Sequence, residues 1–156
     1  LGVVTADCVP IILYDYQNKI IGCVHAGWKG ALSGIVENSI KKFRKLNSQN
    51  KILAGIGPCI GVKNYEVDLN FYKRFIAKSK KNTAYFLKKS KYKKLFDLRK
   101  YVSDKLIKLG VKIENVKYDT FKEKGKFFSY RRSQKMSDSD YGRCISVICL
   151  TKFGQN

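Results

Sequence analysis

Two apolar runs, residues 9–13 and 20–24, are joined by a polar stretch at residues 16–19. That pattern predicts two neighbouring strands, most simply a β-hairpin. Residues 2–5 read as the end of a further strand. From 31 to 46 the apolar positions Leu32, Ile35, Val36, Ile40, Phe43 and Leu46 recur at helical spacing, and the cations of the last turns suit the negative end of a helix dipole. Residues 51–57 form a short buried strand. Asp68 then looks like the N-cap of a helix carrying Phe71, Tyr72, Phe75 and Ile76 on one face. A second amphipathic helix is expected over residues 97–109, ended by Gly110. Residues 111–118, 126–130 and 143–150 read as three more strands. Helices and strands that mix without strict alternation predict one α+β domain, with mixed β-sheets flanked by helices.

Between residues 78 and 94 the pattern gives way to lysine, at 78, 80, 81, 88, 89, 91, 93 and 94, and a solvated loop is expected there. The whole chain has 156 residues, with 32 Lys and Arg against 12 Asp and Glu, a formal charge of +20. Such a charge attracts polyanions. Only six of the 32 are Arg (44, 74, 99, 131, 132 and 143), and the Lys, Ile, Asn and Tyr bias is what an AT-rich genome produces. No zinc-finger spacing exists with one histidine, and KGKFF at 124–128 lacks the aromatic RNA-binding spacing. Nucleic acid is therefore not expected as the main partner. No run of eighteen apolar residues is present, so no membrane span is expected. Five cysteines without regular spacing argue against a disulfide framework and for a reducing cytoplasm. The glycines at 55, 57 and 61 miss the dinucleotide-binding fingerprint by one position.

Chemistry gathers at residues 5–30. This stretch holds the only histidine, His25, the only tryptophan, Trp28, and two of the cysteines. If the two strands pair antiparallel their outer ends meet, and Cys8 would lie beside His25, flanked by Asp7 and Gly-Trp-Lys-Gly. A thiolate and an imidazole so placed can bind a metal or form a nucleophile–base pair; a buried thiol near a structural histidine is the plainer alternative. The glycines before the helix can offer backbone N–H groups to an anion, or serve a tight turn needing positive φ.

The blocks T-A-D-C-V-P-I (5–11) and H-A-G-W-K-G (25–30) resemble the signatures of the laccase-domain, or polyphenol oxidase, family of YfiH-like proteins. Further blocks follow in family order: G-I-G-P-C-I-G (55–61), Y-E-V (65–67), F-D-L (96–98), F-F-S-Y-R-R (127–132) and G-R (142–143). The resemblance implies a purine nucleoside phosphorylase with adenosine deaminase activity, acting on purine nucleosides and phosphate. It maps Cys8 and His25 onto two of three zinc ligands. The third is a histidine in an upstream glutamine-valine-histidine-glycine block, so residues 1–156 are expected to be a family domain lacking its N-terminal part, and an inactive fragment is one alternative. Clustered copper sites rest largely on imidazoles, which makes zinc the expected metal and copper the less favoured one.

For phosphate, Arg131 and Arg132 are the first candidates, suited to bidentate contact. On a strand they would face opposite ways, so one is expected in the site. Lys29 and Arg143 are further candidates. Asp7 can offset the positive charge of ribosyl transfer, or hold the backbone of the site through its carboxylate. Asp119-Thr120 stands where the family has Cys-Thr, and the stretch 133–141 is longer than usual. The alternatives from other classes are a hydrolase with Cys8 as nucleophile and His25 as base, and a basic nucleic-acid-binding protein.

Overall fold

The computed structural model describes residues 1–46 and 51–151. In chain order the elements are β1 (Gly2–Thr5), β2 (Val9–Asp15), β3 (Ile20–Ala26), α1 (Trp28–Leu32), α2 (Ile35–Leu46), β4 (Ile52–Ile56), β5 (Glu66–Asp68), α3 (Leu69–Lys78), β6 (Phe86–Lys88), β7 (Lys93–Phe96), α4 (Leu98–Lys108), β8 (Lys112–Asn115), α5 (Tyr130–Met136) and β9 (Cys144–Val147). The fold is α+β. A four-stranded mixed sheet runs β3-β2-β4-β8, a three-stranded sheet runs β5-β7-β6, and β1 pairs with β9.

The hairpin is as the two apolar runs predict. β2 and β3 pair antiparallel from Val9↔Ala26 to Asp15↔Ile20. Asp15, fully buried, closes the turn by accepting from Gln17 N (3.1 Å), Asn18 N (3.2 Å) and Asn18 Nδ2 (2.7 Å). Val9, Ile11 and Leu13 point with Ile52, Ala54 and Ile56 into a core completed by Val36, Ile40 and Phe43 of α2 and by Leu98, Val102 and Leu106 of α4. Burying each such side chain contributes about 1.5–3 kcal/mol. Glu37 of α2 is ion-paired with Lys105 of α4, which fastens the two helices to each other. Among the described residues no helix is long and apolar enough to cross a membrane.

Several expected elements are corrected. The helix at 31–46 is broken at Ser33-Gly34, where Gly34 takes φ +95°, a conformation that disfavours any side chain; Leu46 is exposed rather than on the packed face. The lysine-rich stretch is not a plain loop: β6 and β7 pair as Phe86↔Phe96 with the rings stacked 4.8 Å apart, and this apolar cross-strand pair makes strands of a polar stretch. The helix cap predicted at Asp68 is present, accepting from Phe71 N, and Asp97 caps α4 in the same way by accepting from Lys100 N. The strand expected at 111–118 shortens to β8 and that at 143–150 to β9. The strand expected at 126–130 is absent: Ser129 caps α5 by accepting from Arg132 N (3.1 Å), so Arg131 and Arg132 lie on a helix, not a strand.

Candidate active site

The ladder puts His25 opposite Pro10, so Cys8, one residue before β2, lies diagonally across from His25 rather than directly beside it. Both side chains converge over Gly27. A Cβ there would lie 3.0 Å from Cys8 Sγ and 3.8 Å from His25 Nε2. Gly27 has φ −73° and N-caps α1, so a positive φ does not explain it; the close approach of the thiol does. The helix begins at Trp28, inside the Gly-Trp-Lys-Gly block rather than after it.

Asp7 decides how the rest is held. It is buried and sits at φ +79°, a conformation that short polar side chains tolerate. Its Oδ1 accepts from Thr120 Oγ1 (2.6 Å), and its Oδ2 from Ser129 Oγ (3.0 Å) and the Arg131 backbone N–H (2.6 Å). The carboxylate therefore ties the approach to β2 to the start of α5, segments 113 to 124 residues apart in sequence. This is the backbone-holding geometry anticipated as one of two roles for Asp7.

The adjacent arginines separate sharply. Arg132 donates to the carbonyls of Thr120 (2.7 Å), Phe121 (2.9 Å) and Phe127, closing the loop before α5. Arg131 donates to Glu66 O at 2.7 Å, lies 5.4 Å from the Tyr65 ring centre, and lines a cavity of about 360 Å³ with Trp28, Tyr65, Phe71 and Lys93. Lys29 is exposed and lies over the Trp28 ring at 5.6 Å; Arg143 is exposed and lies over Tyr141 at 4.4 Å. Neither lines the cavity.

Electrostatically, burial and then the charge of Asp7 push the Cys8 thiol up to about 11. A bare thiolate at neutral pH is thereby disfavoured, and thiolate is the form that attacks or ligates. Tyr65 joins the two parts of the site: burial first, then the nearby Cys8 thiolate, raise its phenol well above the usual range, and Arg131 opposes the rise. Sequence reading singled out neither Tyr65 nor the hydroxyls of Thr120 and Ser129 as site residues. The Y-E-V and F-F-S-Y-R-R blocks held Tyr65 and Ser129, and the Asp119-Thr120 pair held Thr120, but only the fold turns them toward Asp7 and Cys8.

Thiolate and imidazole suit zinc or copper(I), and Cys8 and His25 around the Gly27 cradle fit such an ion as two of its ligands. Among the described residues no third His, Cys, Asp or Glu joins them in a cluster able to hold a metal. Cys23, whose register partner is Ile12, is half-buried in β3.

Comparison with known proteins agrees with the motif order. The family described as multi-copper polyphenol oxidoreductase laccase matches residues 1–151. A purine nucleoside phosphorylase of Rickettsia conorii is 38% identical over 154 residues, covering 96% of this chain and 63% of that protein. The purine nucleoside phosphorylase YfiH of Escherichia coli is 34% identical over 150 residues, covering 96% and 58%. The crystal structure of Bacillus licheniformis hypothetical protein YfiH superposes with a TM-score of 0.79 at 30% identity, covering 86% of this chain and 52% of that one. The chain thus spans less than two thirds of the length of these relatives.

Proposed function

The chain belongs to the multi-copper polyphenol oxidoreductase laccase family, and from that premise we propose that it carries the catalytic half of a purine nucleoside phosphorylase. The observation that supports this best is the Gly27 cradle. A thiol and an imidazole both approach Gly27, whose neighbour Trp28 lines a cavity of about 360 Å³, a volume suited to a small ligand. The relatives' names supply the substrate class, purine nucleosides with phosphate as the attacking group.

In this reading Cys8 and His25 hold zinc rather than copper, since a single imidazole in the chain does not serve a cluster of copper ions. A third donor comes from outside the described residues. Zinc held there would supply Lewis-acid polarisation to phosphorolysis, where phosphate is the nucleophile, and a bound water of lowered pKa to adenosine deamination. Asp7 positions: it fixes Cys8 through the chain and Arg131 through its backbone N–H. Arg131 faces the substrate and orients it, while Arg132 keeps the loop of residues 120–127 in place. Lys29 and Arg143, both exposed, add to the positive field that draws phosphate to the protein.

The test is phosphate-dependent release of hypoxanthine from inosine, with zinc content measured in parallel. This chain alone is expected to show little or no turnover and weak zinc binding. Complemented with the region of the Rickettsia relative that lies outside the match, it should gain both. Release that ignores phosphate, or that survives Cys8→Ser, contradicts the reading and favours a different chemistry at the same place.

A further inference from the structure

The cavity beside the Cys8–His25 pair has a composition that the reaction alone does not require. One wall is aromatic: Trp28 and Phe71 have ring centres 4.7 Å apart, and Tyr65 and Phe71 6.1 Å apart. The charged lining cancels. Glu66 and Asp68 stand against Lys93 and Arg131, with Lys93 Nζ 4.0 Å from Glu66 Oε1, and Asp68 is already engaged with Phe71 N at 2.7 Å. In a chain of formal charge +20, a neutral lining sets this cavity apart from the surface around it.

That balance discriminates between the two halves of the proposed substrate pair. A phosphate dianion is held by uncompensated cations and N–H donors, and is costly to desolvate against aromatic rings. A neutral planar heterocycle gains from ring contact on its faces and from mixed donors and acceptors at its edge. We propose that this cavity is the nucleobase site, with Trp28, Tyr65 and Phe71 forming the apolar wall and with Arg131 and Glu66 offering hydrogen-bond partners to the edge of the base. The proposal rests on the purine nucleoside reading for its ligand class, and it assigns phosphate to a place outside this cavity. It also makes Tyr65 a specificity residue, since it touches the base on one side and the surroundings of Cys8 on the other.

Trp28 is the only tryptophan in the chain, so its fluorescence reports the cavity directly. We would titrate the chain, without added metal, with hypoxanthine, inosine, inorganic phosphate and ribose. Hypoxanthine and inosine should quench saturably and compete with each other; phosphate and ribose should leave the emission unchanged. Tyr65→Leu should weaken hypoxanthine binding about tenfold, the scale of losing one stacking partner. Saturable quenching by phosphate alone, a merely linear response to hypoxanthine, or unchanged affinity in Tyr65→Leu would overturn the proposal. If Tyr65→Leu does not fold by circular dichroism, the wild-type ligand series decides. Because the readout needs neither zinc nor turnover, base binding without phosphorolysis in the complemented protein defeats the enzymatic reading alone. Phosphorolysis with a silent Trp28 defeats this proposal alone.

Discussion

Two buried aspartates, eight residues apart in sequence, hold two regions in different ways. Asp15 sits in the hairpin turn and accepts from Gln17 and Asn18, its near neighbours. Asp7 sits before the hairpin and accepts from Thr120, Ser129 and Arg131, at the other end of the chain. The hairpin region is built by local pairing and alternation. The region of residues 116–143 has little regular structure, and side chains bonded to backbone outside any ladder hold it: Asp7 to α5 from far along the chain, Arg132 to three carbonyls of the loop before it, and Arg99 to the carbonyls of Val116 and Tyr118. The candidate site lies where these regions meet, with Cys8 and His25 from one and Arg131 from the other.

If that contrast is right, the two aspartates should differ sharply on truncation. Asp7→Ala strands three buried donors at once and should cost about 3–5 kcal/mol, since hydrogen bonds to a charged group contribute roughly 1.5–3 kcal/mol each and are not additive. Asp15→Ala loses a local cap-like set and should cost about 1–2 kcal/mol. Urea unfolding of both variants measures the difference. An Asp7→Ala loss under about 1 kcal/mol would free Asp7 for a direct role in charge stabilisation.

The arginines sharpen the same contrast on a smaller scale. Arg132→Ala removes the guanidinium that bridges Thr120, Phe121 and Phe127, and about 2 kcal/mol of stability should go with it. Arg131→Ala should cost under about 1 kcal/mol in stability while weakening inosine binding. Equal unfolding midpoints for the two would show that the division of labour on α5 is not real. Smaller still, Gly34→Ala forces a side chain into φ +95° and should cost about 1 kcal/mol, read as a lowered unfolding midpoint.

The same division explains what could be read in advance. The β2–β3 hairpin, the extent of α4, and the meeting of Cys8 with His25 all follow from period and strand pairing, which are local properties of the chain. α5 does not. Its seven residues bury only Ser133, so it carries no hydrophobic period, and Tyr130-Arg131-Arg132 reads as a strand until the Ser129 cap is seen. The β6–β7 pair was hidden for the opposite reason: eight lysines obscured the facing Phe86 and Phe96 that make it. Asp7 was legible as a candidate, but its partners were not. Hydroxyl groups 113 and 122 residues away leave no spacing signal.

Gly27 offers the most direct test, because its Cβ position lies against both Cys8 and His25. Its backbone suits any residue, yet a methyl there would press on Cys8 Sγ and stand against His25 Nε2. Cobalt(II) titration, followed by the thiolate-to-metal absorption band, measures whether this cradle holds a metal. The account predicts a weak band in the wild-type chain, strengthened by free imidazole as a third donor, lost in Cys8→Ser, and much reduced in Gly27→Ala under conditions where that variant is still folded. A band that persists in Cys8→Ser, or wild-type binding in Gly27→Ala, would place the metal elsewhere and contradict the account.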